Sequence, residues 1–290
     1  MGIENRVAVV TDTGCSIHPE SPLAQETEVN IASLDIKFFE NSQWVSYEDS
    51  SLTPSEFYQK MRTNPRLPQT SGAIPHKLQQ IYESHASANR PVISVHITSH
   101  HSAVWESANL AKALALENYP HLLLEVIDSK QVSLATWFLV EQAAILAQQG
   151  YPLEDIKRLT LETIPKIDVF TALSTFDNIV KGGRLPSSAG YIGSKLQLRP
   201  ILGVVDGEIK IQGVSRTNNH AQRDLARRVE NTPEIITRLA VIHTNYPEGA
   251  ESLRQLLSPI YSGNIEIYEA RPVLGVHTGE KSLGIALQKK

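Results

Sequence analysis

Short apolar runs that end in small polar residues recur along the first half of the chain. Clear examples are Val7–Val10, Pro91–Ile97 and Leu122–Ile127. Each run is short enough to be a buried strand, and a helical pattern follows the second and the third. The repeated order of strand, polar turn and helix is typical of a parallel sheet covered by helices. The first half is therefore predicted to form such a domain.

The second half of the chain has a different pattern. Leu198–Val205 and Glu208–Ile211 flank Asp206-Gly207, which is the signal of a two-residue β-hairpin. A chain of 290 residues also exceeds the size at which one hydrophobic core usually stops growing. The sequence therefore predicts an α/β fold of two domains. An N-terminal domain with a parallel sheet spans residues 1–165, and a C-terminal α+β domain spans residues 166–290.

Hydroxyl side chains stand at several predicted strand ends and helix starts. Ser99 follows the strand at Pro91–Ile97, whereas Thr70 and Ser71 follow a loop with two prolines and precede the next helix. In parallel α/β sheets, ligands bind beyond the carboxyl ends of the strands, where free N–H groups of helix N-termini attract anions. Such hydroxyls can hold an anion, or they can cap the helices that follow. For Ser99 this pattern leaves both interpretations open.

Two glycine-containing segments of the second half supply further candidates. In Gly275–Gly279, His277 is predicted to stand at a strand end, in a loop that permits close approach of a ligand. The paired glycines of Lys181–Arg184 also permit close approach, but the segment lacks the ending of a P-loop and the spacing of a dinucleotide fingerprint. Hydroxyls with a histidine and an arginine, without a nucleophile and an obvious base, favour binding of a carboxylate over catalysis.

Other residues suggest an alternative function. Asp12 begins an Asp-Thr-Gly sequence like that of an aspartic protease, but the second copy that such a protease needs does not occur. The alternative is a small-molecule hydrolase or phosphotransferase that uses Asp12, Cys15 or His277. The neighbouring His100 and His101 point away from each other in a helix or a strand, and no His-Glu-x-x-His spacing occurs. We therefore expect no metal site.

Composition limits the partners and the compartment. A net charge of -4, without clusters of Lys and Arg among aromatic residues, argues against binding of nucleic acid. No apolar run reaches the ~18 residues of a membrane-spanning helix, and the first residues lack the pattern of a secretory signal. The one cysteine, Cys15, excludes an intrachain disulfide and is compatible with a reducing compartment. We expect a cytoplasmic protein without a transmembrane segment.

Short motifs follow one another in a specific order along essentially the whole chain. They are Thr11-Asp12-Thr13, Thr70-Ser71, Ile97-Thr98-Ser99-x-x-Ser102, Val126-Ile127-Asp128-Ser129-Lys130, Lys181-Gly182-Gly183-Arg184, Leu198-Arg199-Pro200-Ile201-Leu202 and Gly275-Val276-His277-Thr278-Gly279. This order resembles the DegV family of bacterial fatty-acid-binding proteins. The resemblance implies two α/β domains with a long-chain fatty acid at their junction, with its acyl chain inside the protein.

The resemblance also implies a role without catalysis. Such proteins serve as the acyl-carrying subunit of fatty acid kinase. They offer the bound carboxylate to a separate kinase subunit, which phosphorylates it with ATP to an acyl phosphate for phospholipid synthesis. No cofactor is implied besides the bound fatty acid.

Site residues are implied position by position. Thr70 and Ser99 correspond to the direct hydroxyl contacts of the carboxylate, and His277 with Thr278 completes the polar end. Arg184 is implied near the headgroup, where it helps to receive the partner or the phosphate. Secondary candidates are Ser71, Asp12 and Ser129.

Three motifs depart from the usual family pattern. Gly72-Ala73-Ile74 replaces Gln-Pro-Ser after the Thr-Ser pair, and His100-His101 puts two imidazoles beside the implied headgroup. Glu280-Lys281 replaces Pro-Gly and makes the last loop more polar. The implied hydroxyl contacts are unchanged, whereas their surroundings differ from those of the usual family member and its partner.

Overall fold

The computed structural model describes residues 6–186 and 198–290, so the first residues, on which the expectation of no secretory signal depends, lie outside it. Its strands are β1 Ala8–Asp12, β2 Asn30–Ala32, β3 Asp35–Glu40, β4 Gln43–Glu48, β5 Gln69–Ser71, β6 Val92–His96, β7 Leu124–Asp128, β8 Ile167–Ala172, β9 Arg199–Val205, β10 Glu208–Ser215, β11 Ile236–His243, β12 Ile265–Glu269 and β13 Leu283–Lys289. Its helices are α1 Pro22–Thr27, α2 Pro54–Thr63, α3 Pro75–Ser87, α4 Val104–Asn118, α5 Leu134–Gln148, α6 Leu153–Thr163, α7 Asp177–Lys181, α8 Asn218–Glu230, α9 Pro247–Leu257 and α10 Pro272–Thr278.

The described residues form two compact units. Unit 1 contains the residues up to Asp35 and Ser71–Pro165. Unit 2 contains Ile36–Thr70 and the residues from Lys166 onward. Unit 2 thus includes the segment 36–70, which the sequence prediction places in the first domain.

Unit 1 is built on a four-stranded parallel sheet with the order β2-β1-β6-β7. Every residue of β1 and β6 is buried, as expected for central strands of a sheet that is covered on both faces. The chain passes from β1 to β2 on one side and later continues with β6 on the other side of β1. Such a reversal of strand order leaves room for a ligand beyond the carboxyl ends of the two strands.

Helix α5 is the central apolar helix of unit 1. It is buried on almost all sides, with Trp137 and Leu139 fully buried. Ser133, directly before the helix, donates its backbone N–H to Gly14 O at 3.0 Å and so ties the loop after β7 to the loop after β1. No helix in the described part of the chain, α5 included, is long and apolar enough to cross a membrane.

Unit 2 contains a six-stranded mixed sheet with the order β10-β9-β8-β13-β11-β12. Strands β11 and β12 are parallel and are connected through α9, whereas the other neighbours are antiparallel. The β9–β10 hairpin turns at Asp206 and Gly207, whose φ angles of 52° and 86° are typical of a type I′ turn. The predicted hairpin is therefore confirmed. Together with unit 1, this sheet confirms the predicted α/β fold with one parallel-sheet part and one α+β part.

The segment 36–70 belongs to unit 2 because of its packing. Strands β3, β4 and β5 form a small sheet with the order β4-β3-β5. Helix α2 packs against it, and the rings of Phe38 and Phe57 lie 5.9 Å apart. A buried ion pair between Asp49 and Arg271 connects the segment to the start of α10. These contacts join residues that are far apart in sequence, so the order of local patterns does not predict them.

His277 lies on a helix, so the prediction that it stands at a strand end is wrong. Pro272 occupies the first turn of α10, where its missing N–H leaves no hydrogen bond unmade. Gly279, with a φ of 72°, ends the helix. The apolar run between these two residues is too short to distinguish a helix from a strand by its periodicity.

Candidate functional site

Thr70 and His277 form a direct contact in unit 2. Thr70 Oγ1 and His277 Nε2 lie 2.9 Å apart and share a hydrogen bond, although 207 residues separate them in sequence. Thr70 lies on β5 and His277 on α10, so the packing of the segment 36–70 in unit 2 creates this pair. A hydroxyl and an imidazole can each donate or accept a hydrogen bond, and such a pair can adapt to an anion.

The segment after α7 packs against His277. A Cβ atom at Gly182 would collide with His277 Nδ1, so the glycine allows the imidazole to lie directly on the backbone. Gly183, with a φ of 76°, continues the turn. Arg184 then donates from Nη1 to Gly182 O. Burial lowers the pKa of Arg184, which still leaves a cation because an arginine side chain stays protonated in proteins. The turn therefore brings a half-buried cation to the residue that contacts His277.

Thr278 is the next residue on α10, and its hydroxyl serves the helix. Thr278 Oγ1 donates to Leu274 O at 2.9 Å, a bond to the preceding turn that threonine often makes in helices. Ser282 Oγ in turn donates to Thr278 O at 2.8 Å. These bonds fix the end of α10, and a contact of Thr278 with a ligand stays a prediction.

The loop after α10 is held by Glu280. Its Oε1 accepts a hydrogen bond from Asn245 Nδ2 at 2.6 Å and lies 3.3 Å from Arg62 Nη1. The carbonyl of Glu280 accepts a further bond from Ser174 Oγ at 2.8 Å. The acidic residue that replaces the usual proline thus connects the loop to three other parts of unit 2.

Ser99 lies in unit 1, just after β6. Its Oγ donates to Asp128 Oδ2 at 2.6 Å, and its backbone N lies 3.4 Å from Asp128 Oδ1. The N-cap position of helix α4 is Ala103, which has no capping side chain, and Ser102 Oγ accepts from Val104 N at 3.3 Å. Neither serine occupies the N-cap position, although the Ser102 hydroxyl bonds to the first N–H of the helix. The hydroxyl of Ser99 faces a carboxylate.

A chain of hydrogen bonds that the sequence analysis missed lies inside unit 1. Tyr82 donates to Ser94 Oγ at 2.7 Å, Ser94 Oγ lies 2.7 Å from His96 Nε2, and His96 Nδ1 lies 2.8 Å from Asp12 Oδ2. All four side chains are fully buried. Ser94 and His96 share one face of β6 because they are two residues apart. Two polar residues with this spacing in an apolar strand were the signal that could have revealed the chain.

The buried chain argues against the alternative function. Ser94, His96 and Asp12 have the connectivity of a Ser-His-Asp triad, but a nucleophile must be accessible to its substrate. All three side chains are fully buried, and Asp12 Oδ1 is occupied by a hydrogen bond from Gly14 N at 2.8 Å. Cys15 is buried as well. Asp12 and Cys15 therefore lack the exposure that catalysis on an external substrate requires.

The secondary candidates Ser71 and Ser129 support loops. Ser71 Oγ accepts from Ala73 N at 3.3 Å. Ser129 is fully buried, accepts from Gln131 N at 3.1 Å and lies 3.1 Å from Thr136 Oγ1. Within the ranges 6–186 and 198–290, no group of three or more His, Cys, Asp or Glu side chains is placed to hold a metal ion.

The fold and the contacts together define an α/β protein of two compact units, in which Thr70 and His277 of unit 2 share a hydrogen bond. The chain belongs to the DegV family: the family model described as "Uncharacterised protein, DegV family" matches residues 6–290.

Known proteins resemble the chain over its whole length. A DegV domain-containing protein of Clostridium perfringens is 27% identical, and the match covers 98% of this chain and 99% of that protein. A stearic acid-binding protein from Eubacterium ventriosum has a TM-score of 0.87 at 24% identity, with 98% of each chain covered. A DegV family protein from Eubacterium eligens loaded with heptadecanoic acid has a TM-score of 0.85 at 17% identity, with 98% of this chain and 100% of that chain covered.

Proposed function

We propose that this protein binds a long-chain fatty acid and that the pair of Thr70 and His277, with Arg184 beside it, receives the carboxylate. The observation that carries the proposal is the 2.9 Å contact of Thr70 Oγ1 with His277 Nε2. A hydroxyl, an imidazole and a guanidinium are suitable donors for a carboxylate. The fatty acids bound by the structural relatives from Eubacterium ventriosum and Eubacterium eligens support this ligand class.

Burial of the acyl chain would supply most of the affinity. At about 0.8 kcal/mol per buried methylene, a sixteen-carbon chain gains on the order of 12 kcal/mol before the costs of association. Hydrogen bonds to the carboxylate contribute far less, and they set the orientation of the ligand. Ser99 is a second proposed contact of the carboxylate, and Thr278 completes the proposed polar end.

We further propose that the protein is a carrier without catalysis of its own. It presents the carboxylate to a separate ATP-dependent kinase subunit, which forms the acyl phosphate for phospholipid synthesis. The cation of Arg184 suits the additional negative charge of the product. The burial of Asp12 and Cys15 supports a non-catalytic role. We expect this function in the bacterial cytoplasm, where ATP is available to the kinase.

Identification of the co-purifying ligand tests the binding proposal. The purified protein is expected to release a fatty acid of the family's long-chain class on denaturation, as detected by mass spectrometry. The stripped protein is expected to take up oleate. A protein that contains no fatty acid and does not take up oleate would contradict the proposal. Turnover of ATP and oleate by this chain alone would contradict the carrier role.

A further inference from the structure

The hydrogen bond between Ser99 and Asp128 restricts what the Ser99 hydroxyl can offer. A serine hydroxyl has one proton and two acceptor lone pairs. Ser99 Oγ donates that proton to Asp128 Oδ2 at 2.6 Å, a length typical of a strong bond to a charged acceptor. Ser99 therefore presents lone pairs, not a proton, to a third group.

The carboxylate of Asp128 is fixed in this role by its own turn. Lys130 N donates to Asp128 Oδ1 at 2.9 Å, and Lys130 has the positive φ of 49° that folds the turn back onto the strand end. Asp128 is also held in the sheet, where it pairs in register with His96 of β6. Oδ1 is held by the turn and lies 3.4 Å from Ser99 N, and Oδ2 accepts the hydroxyl of Ser99.

A fatty acid carboxylate at Ser99 meets an electrostatic conflict. If Ser99 keeps its bond to Asp128, the ligand anion faces an acceptor oxygen. If the hydroxyl rotates toward the ligand, it no longer donates to Asp128. Two carboxylates then flank one hydroxyl, which can donate its single proton to only one of them. Two carboxylates that share a site ionise together only at high cost, so one of them holds a proton.

We propose that Asp128 makes binding of the fatty acid headgroup at Ser99 proton-coupled, so that the carboxylate enters together with one proton from the solvent. This inference rests on the proposed function, because it concerns the same ligand. The balance is simple: a carboxylate and one proton bind, and the ligand carboxyl then donates to Ser99 Oγ while Ser99 donates to Asp128. Asp128 is thus a positioning residue that acts through Ser99.

Among the described residues, no Lys, Arg or His forms an ion pair with the carboxylate of Asp128. Arg184 and His277, the other proposed contacts of the ligand, belong to unit 2. Lys130 is exposed, and His96 is occupied by Asp12. On helix α6, which packs against β7, Lys157 pairs with Glu125 at 3.1 Å. His100 and His101 follow Ser99 directly and are the remaining titratable groups on its loop.

The dependence of oleate affinity on pH tests the proposal. If one proton binds together with the ligand, the Kd of the wild-type protein is expected to rise with increasing pH, by up to about tenfold per pH unit between roughly pH 6 and pH 9. In Asp128→Asn, which removes the competing charge, the profile is expected to be flat, so that binding at the alkaline end is tighter than in the wild type by at least about tenfold. The matched control is Asp155→Asn, which changes the net charge equally at a residue paired with Arg158 on α6.

A second measurement reads the proton directly. The carboxyl resonance of oleate labelled with ¹³C at C1 is expected at the position of a protonated acid at neutral pH in the wild-type protein, and at that of a carboxylate in Asp128→Asn. If Asp128→Asn does not fold, the wild-type resonance and pH profile still decide. Binding with a pH-independent Kd and an ionised headgroup would overturn this inference alone. Absence of oleate binding at every pH would overturn the proposed function and, with it, this inference.

Discussion

Asp49 and Arg271 form a buried ion pair although 222 residues separate them: Arg271 Nε lies 3.0 Å from Asp49 Oδ2. The other oxygen, Oδ1, accepts from Val273 N at 2.7 Å in the first turn of α10. Arg271 also donates to the carbonyl groups of Asp49 and Leu52. One carboxylate therefore holds both the buried cation and the start of the helix that carries His277.

Asp49→Ala is expected to lower the free energy of unfolding by about 3–5 kcal/mol, because it leaves Arg271 buried without its anion. It also removes the acceptor at the start of α10. Urea denaturation measures the effect, and Glu48→Ala, at the exposed neighbouring residue, is the control with an expected change below about 0.5 kcal/mol. Equal small losses in both variants would show that the ion pair does not stabilise the protein.

Gly182→Ala tests the close approach of the backbone to the His277 ring. The added Cβ would collide with His277 Nδ1, so the ring must move and its bond to Thr70 is expected to break. We predict at least tenfold weaker binding of oleate, with a smaller effect from Asp177→Ala on the exposed start of α7. Unchanged affinity in Gly182→Ala, with the protein folded, would exclude His277 as a contact of the headgroup.

Removal of single hydroxyls tests the two proposed carboxylate contacts separately. Thr70→Ala and Ser99→Ala are each expected to weaken retention of the ligand by roughly 1–3 kcal/mol, about 5- to 150-fold, because each deletes one hydrogen-bonding partner of the ligand headgroup. Thr70→Ser keeps the hydroxyl and is expected to restore most of the affinity.

Thr63→Ala is a suitable control for these variants, since its hydroxyl only bonds to carbonyl groups of its own helix. Wild-type affinity in both Thr70→Ala and Ser99→Ala would rule out the proposed headgroup site. Loss in only one of them would identify which unit supplies the hydroxyl.

Local patterns predict much of this fold but not the contacts that define the site. The strands of the parallel sheet and the β9–β10 hairpin follow from apolar runs and turn residues. By contrast, the pair of Thr70 and His277 depends on how β5 packs near α10, and nothing within either motif encodes that packing. The resemblance to the DegV family named both residues because it adds information that a single sequence pattern lacks.

Two further contacts were missed because they also depend on the tertiary fold. The link of Ser99 to Asp128 requires that β6 and β7 be neighbours in the sheet, which the strand patterns suggest but do not fix in register. The bond of His96 to Asp12 joins residues 84 positions apart across two strands. In both cases a polar side chain in or after an apolar strand was visible, whereas its partner depended on the tertiary fold.

Two buried histidines predict that the protein loses stability in mild acid. Burial lowers the pKa of His85, and the charge of Arg90 lowers it further. Burial also lowers the pKa of His243, against a small opposing effect of Glu248, and His243 Nδ1 accepts from Tyr246 N at 3.1 Å, as a neutral ring does. Below the ordinary value of 6.5 the unfolded chain binds these protons and the folded protein does not. The stability that the two neutral histidines contribute is therefore fully present above pH 6.5 and is lost as the pH falls below that value.

His85→Gln and His243→Gln are each expected to reduce this loss, because a glutamine does not titrate. The measurement is the urea midpoint at about pH 7.5 and about pH 5.5, on either side of the histidine value. Glu269, whose pKa is raised by burial, acts in the opposite direction in the wild type and in both variants, so the comparison between them isolates the histidines. His121→Gln, at an exposed histidine, is the control and is expected to keep the full acid sensitivity. The same loss of stability in all four proteins would show that other groups cause the acid sensitivity.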